Sequence, residues 1–129
     1  MRIVEKADPR TAPAADFTGD VTLTAGFAPP GPARAAFAIV SFAPGARTNW
    51  HTHPYGQMLY VTEGEGWVRS DGGEKRTVRQ GDTVWFDAGE RHWHGATDRS
   101  AMTHVAVQEA KDGSPVDWAE PVSDADYLG

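Results

Sequence analysis

Between residues 21 and 109 apolar and polar positions alternate in short runs, the period of two that belongs to strands rather than helices. The runs read VTLTAGF, AAFAIVSF, GQMLYVTEG, GWVRSDGG, KRTVRQGD, TVWFDAG and MTHVAVQEA. Turn-forming residues separate them, among them Pro29-Pro30-Gly31, Pro44-Gly45, Asp71-Gly72-Gly73 and Gly81-Asp82. Many short strands at close spacing predict an all-β domain, an antiparallel sandwich or barrel. Residues 1–16 read as an irregular arm, and residues 17–129 as the barrel with a short C-terminal tail. In that tail, SPVDWAEPVSDADYLG, one helical turn is expected, with Ser123 and Asp126 placed as a capping pair.

The same alternation sorts the histidines, because residues i and i+2 of a strand share a face. His51 and His53 point one way, with Trp50 and Thr52 opposite. Tyr55-Gly56 re-aims the chain, and Gln57 opens the next run with Leu59 and Val61 on its face. His92 and His94 are a second i, i+2 pair. In the last run Met102, His104, Ala106 and Gln108 share a face, and Thr103, Val105, Val107 and Glu109 the other. His51, His53 and His92, with the amide oxygen of Gln57, are a candidate divalent-metal cage drawn from several strands of a small barrel. Trp50, Tyr60, Trp67, Trp85 and Trp93 are expected in the packing of the barrel.

Composition narrows the chemistry. At 129 residues the chain is long enough for one domain with a real core. Twelve basic against 18 acidic residues give a net charge of −6, which argues against nucleic acid or an anionic membrane surface as partner. With no cysteine, thiolate metal sites, disulfides and cysteine nucleophiles are excluded. No run approaches the ~18 apolar residues of a membrane helix, and MRIVEKADPRTAPAADF lacks the apolar stretch of a leader. A cytoplasmic protein acting on a small molecule is the expectation.

The two histidine clusters resemble the paired cupin motifs, G-x5-H-x-H-x3-E-x6-G and G-x5-P-x-G-x2-H-x3-N. Here they run from Gly45 through His51, His53 and Gln57 to Gly64, and from Gly81 through Asp87, Gly89 and His92 to Ala96. Gln57 stands at the usual glutamate, Asp87 at the usual proline and Ala96 at the usual asparagine. More narrowly, PGARTNWHTHPYGQ, GERHWHGA, AMTHVAVQEAKDG and VDWAEPVSDADY resemble the small single-domain cupins that include bacterial manganese-dependent hydroxynitrile lyases. The resemblance implies a double-stranded β-helix, or jelly-roll, barrel that assembles as a homo-oligomer, a dimer or a tetramer. It implies one divalent ion per chain, Mn²⁺ first and Fe²⁺, Ni²⁺ or Zn²⁺ as alternatives. It also places Ala38, Val40, His104 and Gln108 beside the metal, with His104 as the proton carrier, a task that suits a neutral imidazole.

His94 is expected next to the ligands, lining the substrate pocket or tied to backbone. Phe42 and Leu59 are candidates for an apolar wall facing an aryl substrate. The glutamine has its own logic. A glutamate would cancel one unit of the ion's charge, whereas three neutral imidazoles and an amide leave all of it, which favours Lewis-acid over redox chemistry. The expected activity is cleavage or formation of a cyanohydrin. The alternatives are a metal-dependent oxygenase or isomerase acting on a small aromatic or carbonyl compound, and a non-catalytic small-ligand binder.

Overall fold

The computed structural model describes all 129 residues. Twelve strands are present: β1 (Arg10–Thr11), β2 (Phe17–Thr18), β3 (Val21–Phe27), β4 (Ala35–Phe42), β5 (Arg47–Thr48), β6 (His51–Thr52), β7 (Gln57–Ser70), β8 (Arg76–Arg79), β9 (Thr83–Phe86), β10 (His92–Ala96), β11 (Met102–Glu109) and β12 (Asp117–Trp118). One helix, α1 (Asp124–Leu128), closes the chain. All pairings are antiparallel, in the order β1-β3-β4-β11-β7-β10-β5-β2, with β8 and β9 also on β7 and with β6 between β10 and β12.

The key element is β7. Two of the expected strands, GQMLYVTEG and GWVRSDGG, are one continuous strand here. Its first half pairs with β11 and β9, and its second half with β10 and β8, so one strand feeds two facing sheets. Gly64 sits at the changeover with φ +76°, where an added Cβ would run into the Ala101 carbonyl. The β11 ladder shifts register beside it, between Thr103 and His104, which lets the sheet curl. The result is the jelly-roll barrel that the alternation and the motifs predict.

Between the sheets lies a core of 13 buried residues that includes Val21, Val40, Phe42, Leu59, Val61, Phe86 and Met102. Burying each of the larger side chains contributes roughly 1.5–3 kcal/mol. A smaller cluster, Trp50, Trp93, Val122 and Tyr127 with Trp67 against it, packs α1 on the outside of the second sheet. There buried Arg47 donates to the Val122 carbonyl at 2.7 Å and to Asp124 at 2.8 Å, with its guanidinium 4.5 Å from the Tyr127 ring centre. Ser123 caps α1 by accepting from the Asp126 N–H at 3.1 Å, the pair read from the tail.

Two expectations change. Trp50 and Trp93 are buried and Trp67 half-buried, but Tyr60 and Trp85 are exposed. They have the outward parity of β7 and β9, opposite Leu59 and Phe86. The arm is irregular except at Arg10–Thr11, which forms β1 against β3, and its Ala12 is buried in the core. No helix is long and apolar enough to cross a membrane.

Candidate metal centre

His51 and His92 face each other across the β6–β10 ladder. His53 follows β6, and Gln57 is the first residue of β7. These four side chains are buried. The ligand atoms of the three histidines lie within 4.8 Å of one another. Each imidazole is fixed through Nδ1 by a backbone carbonyl: Asn49 for His51 at 2.9 Å, Pro115 for His53 at 2.7 Å and Glu90 for His92 at 2.8 Å. Carbonyls only accept, so each Nδ1 carries the proton and each Nε2 keeps a lone pair. The His92 ring also stacks on Phe86, 3.6 Å between centres at 12°.

The electrostatics agree. Burial first, and then the neighbouring His92, hold the His51 pKa well below its usual value. Burial also lowers His53, and pushes His92 down to about 4. Burial thus keeps all three imidazoles neutral, the protonation state in which an inward Nε2 lone pair can bind a divalent cation. Two further contacts fit an ion. His53 Nε2 is buried with no hydrogen-bond partner. Gln57 Oε1 lies 3.2 Å from His92 Nε2, which sets two lone-pair-bearing atoms face to face, an arrangement that a cation between them relieves.

Beside the cage lies a cavity of about 350 Å³. Ala38, Val40, His94, His104 and Gln108 line it together with His51, His53 and Gln57. His104 Nε2 and His94 Nδ1 are 3.0 Å apart, so one donates to the other, while His94 Nε2 and His104 Nδ1 have no partner. Burial holds His94 well below its usual pKa, with the neighbouring imidazoles adding to it, and pushes His104 to about 4.

Phe42 and Leu59 do not line the cavity. Both point inward as expected, yet they sit deeper, in the core, with the Phe42 ring 5.3 Å from that of His104. Strand parity gives the face of a residue and not its distance from the mouth. The apolar wall comes instead from Phe17, Leu23 and Trp118, which the sequence reading did not assign. Trp118 lies 4.7 Å from the His51 ring and 5.4 Å from Phe17, ring centre to ring centre. It reaches the site because β12 pairs with β6. A two-residue strand leaves no alternation to read.

The cupin domain family matches residues 38–107 of the chain. An (R)-mandelonitrile lyase of Granulicella tundricola is 54% identical over 115 residues, covering 89% of this chain and 88% of that protein. A cupin-like protein of Thermotoga maritima superposes with a TM-score of 0.85 at 31% identity, over 98% of this chain and 95% of the other. A polyketide cyclase of Streptomyces resistomycificus shares the fold, with a TM-score of 0.71 at 20% identity over 98% and 90% of the two chains. With the barrel, the two histidine clusters and the family match all falling on the same residues, this chain belongs to the cupins.

Proposed function

We propose that this cupin is a metal-dependent lyase of the hydroxynitrile type, cleaving a cyanohydrin to an aldehyde and HCN or running the reverse addition. The observation that carries the reading is the 54% identity, across nearly the whole chain, to a protein named (R)-mandelonitrile lyase. His51, His53 and His92 through Nε2, and Gln57 through Oε1, would hold one divalent ion. The hard amide oxygen favours Mn²⁺, with Fe²⁺, Ni²⁺ or Zn²⁺ compatible with the same donors. When bound, such an ion supplies Lewis acidity toward a hydroxyl or carbonyl oxygen, undiminished by any ligand charge.

The chain's own groups do the rest. Phe17, Leu23, Ala38, Val40 and Trp118 offer the organic part of the substrate an apolar wall. His104, kept neutral by burial, takes up the hydroxyl proton, steadied by His94 at 3.0 Å. The C–CN bond then breaks, its electron pair leaving with cyanide while the oxygen's pair completes the carbonyl. His104 returns the proton to cyanide, so the imidazole ends as it began. In the reverse direction His104 deprotonates HCN, cyanide adds to the aldehyde carbon as the carbonyl π pair moves to oxygen, and His104 gives the proton to that oxygen. The working unit is proposed to be a homo-oligomer.

Elemental analysis followed by a cyanide-release assay on mandelonitrile tests this. One metal equivalent per chain and saturable cyanide release are expected, and both should be lost when His51→Ala is combined with His53→Ala. A metal-replete, folded protein that releases no cyanide from aryl or aliphatic cyanohydrins would overturn the lyase reading.

A further inference from the structure

An amide differs from a carboxylate in one respect that matters to a metal: only one of its two ends can bind. Gln57 must present Oε1 and turn Nε2 away. The imidazoles alone do not enforce this. Turned about, the Gln57 NH₂ would donate to the His92 Nε2 lone pair, only 3.2 Å from the amide's present oxygen. That contact would satisfy both groups and close the cage against an ion. Something must hold the amide in its binding sense.

Gln108 is placed to do so. It stands directly opposite Gln57 in the β7–β11 ladder. Gln57 Nε2 donates to Gln108 Oε1 at 3.1 Å. We propose that Gln108 is a positioning residue for the metal centre, fixing the amide of Gln57 with its oxygen toward the imidazoles. The inference rests on the metal cage proposed above. Donating through Nε2 also polarises the amide, leaving more negative charge on Oε1. Gln108 therefore raises affinity in two ways: it excludes the closed, self-satisfied cage, and it strengthens the oxygen as a donor. Such outer partners of a metal ligand typically carry about 10- to 100-fold in affinity.

The test is a double-variant cycle read as Mn²⁺ affinity, by chelator competition on the metal-loaded protein, with melting temperature measured alongside. Gln108→Met keeps the length of the side chain and removes the acceptor. It should weaken Mn²⁺ binding by about tenfold or more without loss of fold. In a Gln57→Glu background the sign should change. A carboxylate has two equivalent oxygens and no wrong end, and any hydrogen bond donated to it by Gln108 drains charge from the ligand. There Gln108→Met should leave Mn²⁺ affinity unchanged or raise it. A Gln108 that merely packs the strand would lower affinity equally in both backgrounds, and that outcome overturns the proposal, as does full affinity in Gln108→Met alone. Wild-type protein that binds no Mn²⁺ overturns cage and clamp together. Cyanide release plays no part in the measurement, so failure of the lyase reading stays distinguishable.

Discussion

At His104 the imidazole is wholly buried, shares a proton with His94 across 3.0 Å, and is pushed to a pKa of about 4. A general base must be neutral to work. Because the folded-state pKa lies below the usual value of 6.5, His104 stays neutral as pH falls through 6 and 5 and is protonated only near pH 4. The acid limb of turnover should therefore fall near pH 4, well below that of an exposed histidine, and a pH–rate profile measures it. His104→Ala should keep metal and fold and cut turnover by about 10²- to 10⁴-fold, while loss of metal near pH 4, where the ligand His92 also protonates, remains. Wild-type activity that halves near pH 6.5 would show that another group controls the rate. At this scale the sequence was most legible where spacing fixes direction. Ala106 and Gln108 share the face of His104 because the long strand β11 keeps a period of two, and His51 and His53 share the cage although β6 ends at Thr52. The contact between His94 and His104 was not legible, since it joins β10 to β11, strands that are not hydrogen-bonded to each other. Phe42 and Leu59 show the same limit in depth.

Among the elements, the longer strands follow from their alternation, whereas β1, β2, β5, β6 and β12 have two residues each and owe their pairing to the barrel around them. Such strands have no local signature, and β12, the loop before it and the segment before β2 contribute Trp118, Pro115 and Asp16 to the site region. The tail was readable through its cap but not through its contacts. Tyr127 donates to the Ala96 carbonyl at 2.6 Å, latching α1 to the end of the strand that begins with His92. Burial pushes the Tyr127 hydroxyl up to about 12, so it remains a donor throughout the ordinary pH range. Tyr127→Phe should cost about 1–2 kcal/mol, a fall of several degrees in melting temperature. The Arg47–Asp124 pair gives the contrast, because the Asp124 side chain is 86% exposed. Asp124→Asn should cost less than about 1 kcal/mol, as exposed ion pairs do. Thermal melts of both variants decide it, and equal losses would mean that the latch is electrostatic rather than a buried hydrogen bond.

For the molecule as a whole, the outer face of the first sheet is the least settled surface. Phe27, Phe37, Val107, Met58 and Trp85 stand in one row across β3, β4, β11, β7 and β9, and Ala25, Ile39, Val105 and Tyr60 in the next. No charged side chain interrupts either row. Five strands at ~4.8 Å spacing make a patch about 19 Å wide. Met58, Tyr60 and Trp85 are 42%, 49% and 58% exposed on it. Monomers rarely leave contiguous apolar patches beyond a few hundred Å² in water. A two-fold axis lays such a patch on its own copy, and with no ionised group in either row no buried charge has to be paired. We propose a second copy of this chain as the occupant. Strand exchange through residues 10–11 fits less well, because β1 already pairs with β3 of its own chain. Light scattering at micromolar concentration should give a multiple of 13.9 kDa. Met58→Lys with Tyr60→Lys places two charges in the middle of the patch and should shift the protein to monomer while metal content holds, since both side chains point away from the cage. A wild-type mass of 13.9 kDa, or an oligomer indifferent to the two lysines, would show that this face is not the contact.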